Sequence, residues 1–244
     1  MKAFLILWFA LTLLVQAGAP PFLLAQWSAE KGEWEQAISR YSTALLEEGP
    51  SASVYYNLGY CHQQAGDVGR AVLAYERSLA LSPRAVDTQN NLTLLRQELS
   101  LPDAKILARD LPAWIAWFSR DEWFVVFLVS SVFLVVFFWG AWLSSRRNTR
   151  LLCFALSACA CAAMTGSAWV VKQRASEDRL AVVLAADQAL QLSPFPTSEK
   201  VTSCPLGSVV SLLQEQGDYV FAELTPGHTR GWLRKDSLEK IALP

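Results

Sequence analysis

The distribution of apolar and polar positions divides this chain into segments of different kinds. Two long runs, Trp123–Ser145 and Leu151–Val171, contain no charged residue. At 1.5 Å of rise per helical residue, either run can cross a hydrocarbon layer of about 30 Å. They predict a transmembrane hairpin with helices over 123–145 and 151–171, joined by a loop at 146–150. Upstream, residues 20–108 show apolar residues at helical spacing, interrupted by glycine and proline. Downstream, from Leu180, the pattern turns to alternation. Ala181–Leu184, Ala189–Leu192, Ser208–Leu213, Tyr219–Leu224 and Gly231–Leu233 read as strands, with turns at Gln216-Gly217-Asp218 and Pro226-Gly227. Short strands at this spacing predict a small all-β barrel over 180–244, after a linker at 172–179. The expected fold is therefore a multi-domain membrane protein: an α-helical solenoid, a two-helix hairpin and a small barrel.

The solenoid expectation rests on a period of 34. Gly32 aligns with Gly66, Ala37 with Ala71, Ile38 with Val72, Tyr41 with Tyr75 and Leu45 with Leu79, while Leu24, Leu58 and Leu92 share one register. Small residues at Gly59, Ala37 and Ala71 allow paired helices to cross closely. Gly32 and Gly66 end first helices in a left-handed cap, and Gly49-Pro50 and Pro83 stop second helices. This period and these residues resemble the tetratricopeptide repeat, with Leu58–Asp67 the strongest match. Val86–Ser100 resembles a further first helix without a second, and is expected to cap the stack. Arrays of this kind bind peptides or helices on the face lined by first helices. In the second repeat that face holds Tyr56, Asn57, Tyr60, Gln63 and Gln64, which Asn90 and Gln97 extend. The patch is polar and aromatic and lacks the Lys and Arg of a carboxylate clamp. It reads either as a partner-binding groove or as solvated helix surface.

The first nineteen residues read as a signal peptide, with Lys2, an apolar stretch Ala3–Val15 and small residues Ala17-Gly18-Ala19. An uncleaved anchor is the other reading. The loop carries Arg146, Arg147 and Arg150 and no acid, which fits the excess of Lys and Arg on the cytoplasmic side. Both soluble parts are then expected outside the cytoplasm, on a two-pass membrane protein. Segment 109–122 holds Trp114 and Trp117. With Trp123 they suit one headgroup layer, and Trp139 and Trp142 suit the other.

A net charge of −1 and the lack of a basic face argue against a nucleic-acid partner. With only His62 and His228, no metal-ligand spacing, no nucleophile–base–acid set and no phosphate loop, no catalytic residue and no cofactor are expected. Cys153, Cys159 and Cys161 lie in the second apolar run. Cys61 and Cys204 either bridge or act as separate buried thiols. Neither run has an ionisable residue inside it, which disfavours a transporter. Ala158, Ala162 and Gly166 fall four apart, a small-residue stripe suited to close helix packing. Its partner is either the first run or a helix of another membrane protein.

The C-terminal segment resembles a bacterial SH3-like domain through Gly207, Gly217-Asp218-Tyr219, Gly231-Trp232 and Leu238–Ile241. Tyr219 and Trp232 form either an aromatic ligand surface or, for Trp232, part of the core. The order of parts, with Tyr55–Gly59, Gly66-Asp67, Leu111–Trp114 and Gly231-Trp232, resembles BatE-type proteins of the Bat aerotolerance group. That resemblance implies von Willebrand factor A-type membrane partners and a place in the bacterial inner membrane, while the order of array, hairpin and barrel reads as an adaptor that captures a partner and confines it to the membrane plane. An envelope sensor whose SH3-like domain binds peptidoglycan or peptide is the alternative.

Overall fold

The computed structural model describes residues 20–101, 115, 117–174, 177–186, 188–224 and 228–243. The expected signal at 1–19, Leu111–Trp114 and the Pro226-Gly227 turn lie outside the described residues. Five helices open the described chain: α1 (Pro21–Glu30), α2 (Trp34–Glu48), α3 (Ala52–Gln64), α4 (Val68–Leu81) and α5 (Val86–Glu98). Pro21 opens α1, where its missing N–H costs nothing. A Cβ on Gly59 would lie 2.8 Å from the Tyr75 ring, so α3 and α4 cross at a distance that only glycine permits.

The same backbone device ends every first helix. Gly32 (φ +75) and Gly66 (φ +81) are left-handed. Glu33 N–H donates to the Ser28 carbonyl at 3.0 Å and Asp67 N–H to the His62 carbonyl at 2.9 Å, the six-to-one bond of a Schellman cap. Ser100, 34 residues after Gly66, repeats it: its φ is 53, and Leu101 N–H donates to the Arg96 carbonyl at 2.8 Å. So α5 ends in the same turn as α1 and α3, with serine where the 34-residue register places glycine.

Seven strands follow: β1 (Leu180–Val183), β2 (Gln188–Gln191), β3 (Lys200–Cys204), β4 (Val209–Gln216), β5 (Tyr219–Leu224), β6 (Arg230–Arg234) and β7 (Leu238–Lys240). All recorded pairings are antiparallel, in the order β3-β2-β6-β5-β4-β1-β7. The expected closed barrel is not formed, because β3 and β7 are edges that do not pair with each other. After β6 a short 3-10 turn at Lys235–Ser237 carries the chain to β1, where β7 adds as the outer strand. Gln216 pairs with Tyr219, leaving Gly217-Asp218 as a two-residue hairpin turn with Gly217 at φ +58.

Helical array and sheet share one apolar core. Ala71, Val72, Leu73 and Tyr75 of α4 and Leu92 and Leu95 of α5 pack with Leu180, Val182, Val209 and Ile241. Contact is close enough that a Cβ on Gly69 would meet Leu206 Cδ1 at 2.9 Å and the Leu184 backbone at 3.3 Å. Leu101, just past the third cap, approaches Gly207, whose Cβ would be 3.2 Å from its Cδ1. Arg77 adds a polar clasp, donating to the Lys240 carbonyl at 2.7 Å and pairing with Glu239 at 2.9 Å. The end of the stack, expected to be closed by a capping helix alone, is thus covered by α5 together with the sheet.

Two long helices, α6 (Arg120–Leu143) and α7 (Arg147–Arg174), pack side by side. Both are long and apolar enough to cross a bilayer. Their outer faces expose large apolar side chains such as Val132, Val136, Leu151 and Trp142. Ser119 caps α6 reciprocally with Glu122 (3.2 and 2.7 Å). At the base of the pair Arg84 of the array pairs with Glu122, and Arg120 pairs with Asp178 of the short turn before β1 at 3.2 Å.

The shared core predicts one unfolding unit. Leu95→Ala, at a position only 1% exposed, should cost about 2–5 kcal/mol. Far-ultraviolet circular dichroism and tryptophan fluorescence should then lose signal at the same lowered midpoint. Two separated midpoints would show that array and sheet melt independently.

Candidate functional site

The residues expected to line the groove fall into two groups. Tyr56, Asn57 and Gln63 are half-buried and their polar atoms are engaged. Asn91 Nδ2 of α5 donates to the Tyr56 hydroxyl at 3.2 Å. The Tyr75 hydroxyl donates to Gln63 Oε1 at 3.0 Å. Asn57 bonds the hydroxyl of Tyr41, whose pKa burial raises to about 12. These three are struts that fix α3 against α2, α4 and α5. Tyr60 and Gln64, in contrast, are exposed. Trp34 meets the Tyr60 ring edge-on, with centroids 5.9 Å apart.

The 34-residue register extends this open face to the neighbouring first helices. Gln26, Tyr60 and Leu94 occupy equivalent positions on α1, α3 and α5, and all three are exposed. Leu94, 62% exposed, was missed by sequence reasoning, which took Asn90 and Gln97 from α5. Counting 34 residues on from Tyr60 finds it. One turn further along each helix stand Glu30, Gln64 and Glu98, also exposed.

Beneath the groove His62 is buried, 3.8 Å from Asp67, and its Nδ1 has no hydrogen-bond partner among the described residues. Burial lowers its pKa, opposed by Asp67 and assisted by Arg70. Cys61 and Cys204 are both free and lie in different apolar clusters, so the bridge between them is not formed. Burial raises each thiol to about 11. Cys204 is therefore held protonated and is a poor nucleophile.

On the sheet, β6 alternates: Gly231 and Leu233 point into the core, while Arg230, Trp232 and Arg234 point outward. Trp232 is half-buried rather than a core side chain. It packs on Phe221, with ring centroids 5.2 Å apart, and the two are direct cross-strand partners. Tyr219 lies on the same outward face of β5, opposite Arg234. Phe221 is the residue the sequence reading missed, although its place two residues after Tyr219 puts it on the same face. Glu223 completes this face, bonded to Arg230 at 2.8 Å and to His228 at 2.6 Å.

On α7 the stripe Ala158, Ala162 and Gly166 is exposed, and nothing lies within 4 Å of a Cβ placed on Gly166. Ser157, Ala160, Ser167 and Val170 form the buried face instead. The first of the two expected partners for the stripe, the other apolar run, is therefore not what it meets.

A family profile for the tetratricopeptide repeat matches residues 52–85, spanning α3 and α4 and the turn that follows. Photosystem I assembly protein Ycf3 of Rippkaea orientalis (strain PCC 8801 / RF-1) is 37% identical to this chain over 67 residues. That match takes in 26% of this chain and 39% of the relative, so it spans about two fifths of that protein. The chain thus contains a tetratricopeptide repeat, a unit whose usual role is to hold protein partners rather than to catalyse.

A pH test follows from His62. Its folded pKa lies below the unfolded value of about 6.5, so the unfolded chain takes up the proton first. Stability present above about pH 6.5 is lost as pH falls. The thermal midpoint should drop between pH 7.5 and 5.5, and His62→Phe should flatten that slope. An unchanged slope would show that His62 is not the group responsible.

Proposed function

We propose that this protein is a membrane-anchored adaptor of the bacterial envelope that captures a protein partner in its helical groove. The observation behind this reading is the open row of first-helix residues around Tyr60 and Leu94, held rigid by the half-buried struts Tyr56, Asn57 and Gln63. Exposed apolar area on α6 and α7 supports the anchor, since water solvates such surface poorly at about 25 cal/mol per Å². Arg147 and Arg150 sit in the first turn of α7, where the helix dipole disfavours cations. That placement is easier to understand as a topology signal at the cytoplasmic end of a hairpin.

The shared core supports one compartment for array and sheet, which an even number of crossings provides. By family resemblance the partners are von Willebrand factor A-type membrane proteins of the Bat group. The relative matched over the array is by name an assembly protein, which agrees with a scaffold role. The domain division 20–108, 123–145, 151–171 and 180–244, with an SH3-like last part, is part of the same proposal. A second reading, a sensor of peptidoglycan or peptide, draws on the outward pair Phe221 and Trp232 with Tyr219 beside it.

Photo-crosslinking tests the adaptor. With benzoylphenylalanine at position 60 or 94, a specific membrane-protein adduct should form in cells. At position 46, where Leu46 is 88% exposed on α2, it should not. Equal adducts at all three positions, or none at any, would remove the groove from the function.

Sidedness is tested with single cysteines at Glu47, Glu199 and Arg147 in a background lacking the native five. An impermeant maleimide on spheroplasts should label the first two and spare the third. Trp232→Ala with Phe221→Ala should leave the crosslink intact. Loss of cell-wall sedimentation in that variant would favour the sensor instead.

A further inference from the structure

We infer that the groove takes a cationic amphipathic segment of its protein partner. This rests on the adaptor reading and adds the chemistry of what is captured. Along the open face Tyr60 and Leu94, with the Trp34 edge against Tyr60, offer an aromatic and aliphatic surface on α3 and α5, which the amide of Gln26 ends on α1. One helical turn away runs the parallel row Glu30, Gln64 and Glu98, with a carboxylate at either end. A partner lying across the three helices therefore meets apolar side chains on α3 and α5 along one edge and a carboxylate at each end of the other.

The charge of the whole array points the same way. Residues 20–101 contain nine acidic and six basic side chains, a net charge of −3. All six cations are engaged within the chain. Lys31 lies over the Trp27 ring, Arg40 bonds the Leu24 carbonyl, and Arg70, Arg77, Arg84 and Arg96 pair with Asp67, Glu239, Glu122 and Glu76. Of the nine acids, Asp67 and Glu76 are the ones in ion pairs among the described residues, and both lie off the open face. Among the described residues Glu30 receives one amide contact, from Gln26 at 3.4 Å, and no cation. The array thus presents carboxylates without counter-charges among the described residues, and its own cations are occupied elsewhere. Such a field attracts a basic segment and repels an acidic one. The apolar row excludes a merely charged, fully polar segment as the best fit, because Tyr60 and Leu94 would then stay in water.

The test uses the full chain in non-ionic detergent and three labelled peptides of equal length: a Leu/Lys amphipathic sequence, the same pattern in Leu/Glu, and a Ser/Lys sequence. Micelles without protein are the baseline. Anisotropy should report binding of the Leu/Lys peptide above baseline, weakening as salt is raised. Glu30→Lys with Glu98→Lys should weaken it by about tenfold, and Tyr60→Ala with Leu94→Ala should weaken it without altering the salt dependence. All four positions are exposed, and unchanged circular dichroism checks that each variant is folded. Equal binding of the Leu/Glu or Ser/Lys peptide, no binding above micelles, or an unaffected charge-reversed variant overturns the inference. Failure here with a partner still crosslinked at position 60 or 94 would leave the adaptor reading standing. Loss of those crosslinks would remove the adaptor reading itself.

Discussion

The structure depends on an apolar core that belongs to neither soluble part alone. Helix α4 is wedged between α3 and the sheet, and each of its faces needs glycine on one side of the contact: Gly59 on α3 for the first, Gly69 on α4 itself for the second. Standing alone, the five-helix array would leave Val72, Leu92 and Leu95 in water. Leu180, Val182, Val209 and Ile241 cover them. Short arrays are marginal because terminal repeats expose the surface that a neighbour would bury. Here a sheet stands in for that neighbour, and Arg77 fixes it through Glu239 and the Lys240 carbonyl.

Much of the helical region was legible because its constraints are local. The 34-residue spacing of small and aromatic residues follows from one helix-pair geometry repeated, and glycine marks each left-handed turn. Ser100 escaped notice because serine adopts the same backbone without advertising it. The joint between array and sheet had a local signal that the alternation pattern concealed. Leu180–Val183 is apolar at every position, and all four residues are buried. Leu180 and Val182 face the helices, while Ala181 and Val183 face the sheet's own core. A strand apolar on both faces is covered on both faces. Closure of the barrel was not legible, because whether β7 meets β1 or β3 is decided by non-local pairing after a three-residue turn.

The site divides in the same way. Residue type and register placed Tyr56, Asn57, Tyr60, Gln63 and Gln64 on one helix, but not which of them would be spent on internal bonds. Half-buried amides and hydroxyls seek partners, and Asn91, Tyr41 and Tyr75 provide them. What remains open is decided by depth in the stack. Trp232 shows the converse: a large ring beside glycine fits either a core or a surface, and only the alternation set by buried Gly231 and Leu233 turns it outward.

Rigidity links these features to the proposed role. A groove built on struts presents Tyr60 and Leu94 without reorganisation, so less ordering cost opposes capture. The shared core holds the sheet's aromatic face in fixed relation to that groove. Arg84 then ties the array to Glu122 at the start of α6, and Arg120 of α6 pairs with Asp178 in the short turn before β1. Exposed ion pairs of this kind contribute little stability singly. Their value here is geometric: one ties the array to the start of α6 and the other ties α6 to the turn that enters β1, so together they limit how array and sheet tilt on the helix pair. An adaptor with a loose tether would gain from confinement alone. One with fixed orientation also selects the side from which a partner approaches, and α7 keeps its small-residue stripe turned away from α6, open to that approach.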